Sequence, residues 1–263
     1  MPDGGIIDKI YLYDGTFEGL LTAIFESFIG TYRPMSILPE KGAQTVFGAE
    51  YIYVQTDEVK WKRVSKGIIL NISRDSLDLV YNVFLSEHIE HGIMIYDYLK
   101  LAFRMGVNVN NNLADDRVLN VINLSNKVSR ERHYLTGFVR FTDIGGGILY
   151  SEIEPTYNIV ELLMSYFCDR MPSQKFIIGD IKRKWYGVYN TQCVIFTDDI
   201  PAQFKAASII GGDYERLWKD FFEAIAVEER KSRRRQMSHM PKKYWKHITE
   251  KKSSHYRKNE LGH

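Results

Sequence analysis

The chain is poor in several residue types that mark particular protein classes. Two cysteines in 263 residues, Cys168 and Cys193, exclude a disulfide-stapled scaffold. Each sits in an apolar run (LLMSYFCDR and TQCVIFT) that reads as a buried free thiol in a reducing compartment. No Pro-, Gly- or Ser-rich linker divides the chain, and no internal repeat occurs. No segment approaches the roughly 18 apolar residues of a membrane span, and no basic leader precedes a short apolar run. A soluble, cytoplasmic protein with no membrane partner is the expectation. The Gly-x-Ser-x-Gly elbow and the Cys-x-x-Cys pair are absent, which removes the familiar hydrolase, zinc and redox signatures.

What is present is a core-forming composition, 44% hydrophobic with 17 Tyr, 14 Phe and 4 Trp. That suits a packed interior and also supplies rings on which bases stack. The net charge of +2 conceals a division: residues 1–229 hold 23 basic against 31 acidic side chains, whereas 230–263 hold 12 against 2. A basic end on an acidic body points to an anionic partner.

Hydrophobic spacing organises the rest. KIYLYDGTFEGLLTAIFESFIG reads as a strand, an Asp14-Gly15 turn, an N-capping Thr16 and a helix with Phe17, Leu20, Leu21, Ile24, Phe25 and Phe28 on one face. A strand at EYIYVQ precedes helices over about 58–72, 74–86 and 89–105, with another between Asp115 and Leu135. From His133 the period changes to two: HYLTGFVRFTDI and GILYSEIEP flank Gly145-Gly146-Gly147 as a predicted hairpin. A helix (NIVELLMSYFCDR) and three strand candidates follow. The expected fold is α+β: a helical N-terminal part, an antiparallel sheet of about five strands with a packed helix, and a C-terminal helical basic segment. One compact domain over 1–251 is expected, with a mainly helical lobe at 1–132, a sheet lobe at 133–200, helices at 212–248 and a flexible tail at 252–263.

Three clusters carry candidate chemistry. Lys127, Arg130, Arg132, His133 and Arg140 gather where a helix meets the predicted sheet, and Lys182, Arg183 and Lys184 fill a strand turn just before Trp185 and Tyr186. Arginine forks match phosphate oxygens, and aromatics beside a basic turn suit a stacked base. Each cluster also reads as a solvated charged surface. The third is the C-terminal run with Arg233, Arg234, Arg235, Lys242, Lys243 and Lys246. There Pro241, Tyr244, Trp245 and Ile248 fall at helical spacing, so that an apolar face anchors a cationic one, with Tyr244 and Trp245 as further stacking rings. Asp143, Glu152, Glu154 and Asp180 lie near strand ends and, with His133, are weak candidates for acid–base or metal chemistry. His88 and His91 lie three apart at a helix start, but two ligands make no metal site and they read as surface histidines. No cofactor or metal is expected.

The stretches YLYDGTFEGLLTAIFESF, RERHYLTGFVRFTDIGGGILYSEIEP and LWKDFFEAIAVEERKSRRRQMSHMPKKYWKHI together resemble a bacterial family with a domain of unknown function, assigned to DNA metabolism or DNA repair. As the family is described, its genes adjoin one for a radical-SAM protein, and some members are fused to a uracil-DNA-glycosylase-like domain. The resemblance spans nearly the whole chain and includes Asp14, Gly15, Glu18, His133, Gly137, Arg140, Phe141, Pro155, Asn158, Phe167, Asp180, Arg183, Pro241, Tyr244 and Trp245. Tyr166 departs from it, standing where relatives carry His. The resemblance implies DNA, single- or double-stranded, and a radical-SAM protein as partners, and an accessory role in DNA repair; it supplies no catalytic residue. The alternatives are an enzyme acting on DNA through the strand-end carboxylates and His133, or an adaptor that only docks the radical-SAM protein. The chain lacks the Gly-Gln-Asp-Pro and His-Pro-Ser motifs of uracil-DNA glycosylases, so uracil excision by this chain alone is not expected.

Overall fold

In the computed structural model, β1 (Lys9–Tyr13) enters α1 (Phe17–Ile29) through the turn Asp14–Thr16. Residues 8–41, 43, 46–201, 221, 223 and 224 are described. The chain divides into two compact units, Met1–Arg130 and Glu131–His263. The boundary falls two residues before the lobe boundary expected from the change of period.

In the first unit the apolar run of β1 is buried on both faces, the mark of a parallel strand covered on each side. It is the centre of a three-stranded parallel sheet, order β2-β1-β3, with β2 at Ser36–Pro39 and β3 at Glu50–Tyr53. Sequence patterning missed β2, because four residues ending in Pro39 are too short to show a period. As an edge strand it tolerates the missing N–H. The helices follow expectation: α2 (Glu58–Asn71), α3 (Arg74–Leu85) and α4 (His91–Met105), then a 3-10 turn over Gly106–Asn111. Asp57 caps α2 by accepting from Val59 N and Lys60 N, each at 2.9 Å, and Ser73 caps α3 by accepting from Ser76 N at 3.0 Å. Leu20, Leu21, Ile24, Ile37, Ile68, Val80, Ile95 and Leu99 form the core they enclose.

α5 (Asp116–Phe138) runs further than expected and replaces most of the predicted first sheet strand. Between Glu131 and Arg140 only Val139 is buried, so the alternation in HYLTGFVRF has no sheet face to fill and the helical backbone prevails. What remains of that strand is β4 (Thr142–Asp143), which forms the predicted hairpin with β5 (Ile148–Ile153). Gly145, Gly146 and Gly147 all have positive φ, which explains the three glycines. After α6 (Val160–Arg170) come β6 (Lys175–Asp180), β7 (Trp185–Tyr189) and β8 (Val194–Thr197) in a sheet of order β4-β5-β6-β7-β8. The architecture is α+β. The sheet is mixed rather than antiparallel, because β5 and β6 pair parallel with α6 as their crossover. α6 presses Met164 onto Gly187, where a Cβ would lie 2.4 Å from Met164 Cγ. On the opposite face Ile148, Tyr150, Ile177, Tyr186 and Val188 pack with Ile200 and Phe221. Cys193 is buried and Cys168 half-buried, neither is in a disulfide, and burial pushes the Cys168 thiol up to about 12. Among the described residues no helix is long and apolar enough to cross a membrane.

Candidate functional site

Two of the basic clusters meet the same loop. At the end of β6, Asp180 is fully buried and its Oδ1 accepts from the backbone N–H groups of Lys182 (3.0 Å) and Arg183 (3.1 Å), which folds the basic turn back on the strand. Its Oδ2 accepts from Arg183 Nη1 at 2.8 Å. The same guanidinium donates to Pro155 O (3.0 Å) and Thr156 O (2.7 Å) in the loop between β5 and α6. From α5, Glu131 accepts from Thr156 N at 2.7 Å and Tyr157 N at 2.9 Å. The Thr156 residue is thus gripped through its carbonyl by Arg183 and through its N–H by Glu131. These charge-assisted bonds tie the helix to the hairpin turn.

Around this clamp Arg132 on α5 and Lys182 and Lys184 in the turn are exposed. Arg140 is exposed and donates through Nη1 to Gly137 O (2.8 Å) and Val139 O (3.1 Å), closing the C-terminal end of α5. Arg130, also exposed on α5, is the last residue of the first unit. Two expectations are corrected. The Arg183 side chain is only 14% exposed and holds the loop, so it positions the surface rather than facing a ligand. Tyr186 is buried in the sheet and offers no ring to a base, while Trp185 is half-buried and stacks on Phe196 at 6.0 Å and 8°. Instead Tyr134 and Phe138, four apart on α5, are 56% and 68% exposed. Sequence reading placed both in a strand, so only a helical period would have put them on one face. Arg233, Arg234, Arg235, Lys242, Lys243, Lys246, Tyr244 and Trp245 lie outside the described residues.

The carboxylates do not form one site. Register pairs Glu152 with Gly179, one residue before Asp180, so Glu152 and Asp180 leave opposite faces of the sheet. Glu152 accepts from Tyr150 O–H at 2.7 Å, Asp143 accepts from Gly145 N at 2.8 Å within its turn, and Glu154 and His133 are exposed. Among the described residues no group of three His, Cys, Asp or Glu side chains is placed to hold a metal ion.

A family model described as "Domain of unknown function (DUF4130)" matches residues 90–250, more than half of the chain. The chain belongs to the DUF4130 family. No curated protein and no solved structure matches it. The whole clamp, from Glu131 to Arg183, lies inside the matched span. A second polar assembly of this DUF4130 member, at the carboxyl end of β1, lies mostly ahead of it.

There Asp14 Oδ1 accepts from Thr16 N (3.0 Å) and Thr16 Oγ1 (2.6 Å), and Oδ2 accepts from Thr56 Oγ1 (2.7 Å). Thr16 Oγ1 in turn accepts from Gly19 N at 2.9 Å. These bonds pin the turn and cap α1. Beside it His91, expected at the surface, is buried, whereas His88 is exposed. The His91 ring faces the His88 carbonyl through Nδ1 at 2.5 Å. A carbonyl only accepts, so Nδ1 carries the proton and Nε2 accepts from Tyr13 O–H at 2.7 Å. Burial holds the imidazole below its usual value and pushes the Tyr13 phenol well above its own. The sequence signal that would have found this pair is the continuous burial of β1, which obliges the Tyr13 hydroxyl to find an internal partner.

Proposed function

We propose that this DUF4130 member is an accessory protein of DNA repair or DNA metabolism that binds nucleic acid and works with a radical-SAM partner. The supporting observation is the double grip on Thr156: two basic clusters separated by some fifty residues in sequence are fastened to one loop. Arg132, Lys182 and Lys184 supply phosphate contacts there, and Arg140 extends them. Tyr134 and Phe138 supply ring faces for unpaired bases. The basic segment from Arg230 onward adds the larger share of the attractive charge. DNA as the nucleic acid, and the radical-SAM protein as partner, rest on the family resemblance.

Binding of a labelled 20-residue single strand and of its duplex, followed by anisotropy at rising salt, tests this reading. Each neutralised phosphate contributes about 0.9 to the log–log salt slope on duplex and about 0.7 on single strands. Replacing Arg132, Lys182 and Lys184 together by Ser should therefore lower the slope by about 2 to 3. Tyr134→Ala with Phe138→Ala should weaken the single strand and leave the duplex nearly unchanged. Absence of binding even at low salt would refute the proposal. The partnership is checked separately by co-purification with a radical-SAM protein from the same cell, and recovery of none at gentle salt would refute it.

A further inference from the structure

α1, α2 and α4 of the first unit enclose a trough of about 860 Å³. Its walls are apolar: Phe25, Phe28 and Ile29 from α1, Val59 and Leu70 from α2, and Phe103 from α4. Several of these side chains stand in water, with Ile29 68%, Val59 76% and Leu70 80% exposed. From Val59 to Leu70 the trough follows three turns of α2, about 16 Å at 1.5 Å per residue. Among the described residues its charged lining is the cations Lys62, Arg63 and Lys66. Two of these cations are held in place, Lys62 by an ion pair with Glu58 one turn earlier and Arg63 by lying 5.6 Å over the Phe25 ring.

We infer that this trough docks an amphipathic helix of a partner protein, with apolar side chains on its buried face and Asp or Glu beside them. The charge complement selects an acidic segment. The length of α2 along the trough matches a helix of about three turns, and an apolar groove of this shape takes anchors at i, i+3/i+4 and i+7. A nucleic acid fits less well. Arg63 lies over a face of Phe25, Phe28 meets Phe103 edge to face, and the other apolar walls are aliphatic, so the rings are engaged with one another and with a cation rather than set out as a stacking platform. A lipid surface would meet a flat or convex patch, not a concavity. The inference is independent of nucleic-acid binding, which involves other residues.

A displayed library of 16-residue helices, randomised at surface positions and selected against the full chain, tests it. The expected winners carry an apolar i, i+3/i+4, i+7 stripe flanked by acids. Their affinity should fall at least tenfold with Leu70→Ser and with Lys66→Glu, both exposed positions whose substitution leaves the circular dichroism unchanged. An acid-to-Lys change in the selected peptide should restore binding to the Lys66→Glu protein. Enrichment of no helix, winners lacking acidic residues, or affinities that survive both substitutions within twofold would overturn the inference. So would displacement of the selected peptide by an oligonucleotide or by phosphatidylserine vesicles.

Discussion

Single side chains divide here into those that hold the fold and those left to face a partner. Arg183 belongs to the first kind, for it neutralises a fully buried carboxylate and secures two carbonyls. Removing one partner of such a pair leaves an uncompensated buried charge, at a cost of about 3 to 5 kcal/mol. Arg183→Met should lower the urea midpoint accordingly, and Asp180→Asn in the same protein should recover part of the loss. His91 makes a prediction in pH. Its imidazole is held neutral by burial, so the unfolded chain binds that proton more readily than the folded one. Its contribution to stability is complete above the unfolded value of about 6.5 and declines as pH falls below it, down to the lower folded value. Urea unfolding at pH 7.5 and 5.5 should show a larger loss for the native chain than for His91→Gln.

At the scale of elements, three helical glycines separate propensity from packing. Alanine is favoured over glycine inside a helix by about 1 kcal/mol, so propensity alone predicts stabilisation at each. At Gly137 on α5 an added Cβ meets nothing within 4 Å, and Gly137→Ala should raise stability by about 0.5 to 1 kcal/mol. At Gly19 the Cβ would lie 2.2 Å from Asp14 Oδ1, so the carboxylate that closes the turn before α1 must move. At Gly92 it would lie 2.1 Å from the backbone oxygen of Ile37, which has less room to yield. Overpacking of this kind costs about 1 to 3 kcal/mol and reverses the sign. Thermal unfolding of the three variants should rank Gly137→Ala above the native chain, then Gly19→Ala, then Gly92→Ala.

At the scale of the whole molecule the charge division dominates. A chain ended after residue 229 carries 23 basic against 31 acidic side chains in place of 35 against 33. It turns from weakly basic to clearly acidic, and its long-range field then repels a polyanion. In the same anisotropy measurement this truncation should weaken DNA at low salt more than the triple replacement of Arg132, Lys182 and Lys184. Comparable losses would show that the basic segment adds little.

Local chemistry made much of this molecule legible in its sequence. Thr16 and the face from Phe17 to Phe28 announced α1, the spacing of apolar residues announced α2, α3 and α4, and Gly145 to Gly147 announced the turn between β4 and β5. Caps, periods and positive-φ turns act within a few residues, so neighbours in sequence suffice to specify them. The two basic clusters in and around the second unit were legible for the same reason. Their attachment to one loop was not, since Glu131, Thr156 and Arg183 are joined by bonds between distant segments. The parallel pairing of β5 with β6, the extension of α5 to Phe138 and the burial of His91 against Tyr13 belong with it. In each of these the local pattern permitted two outcomes, and the choice fell to whichever surface the rest of the chain offered for burial. That surface exists only once segments far apart in sequence have packed.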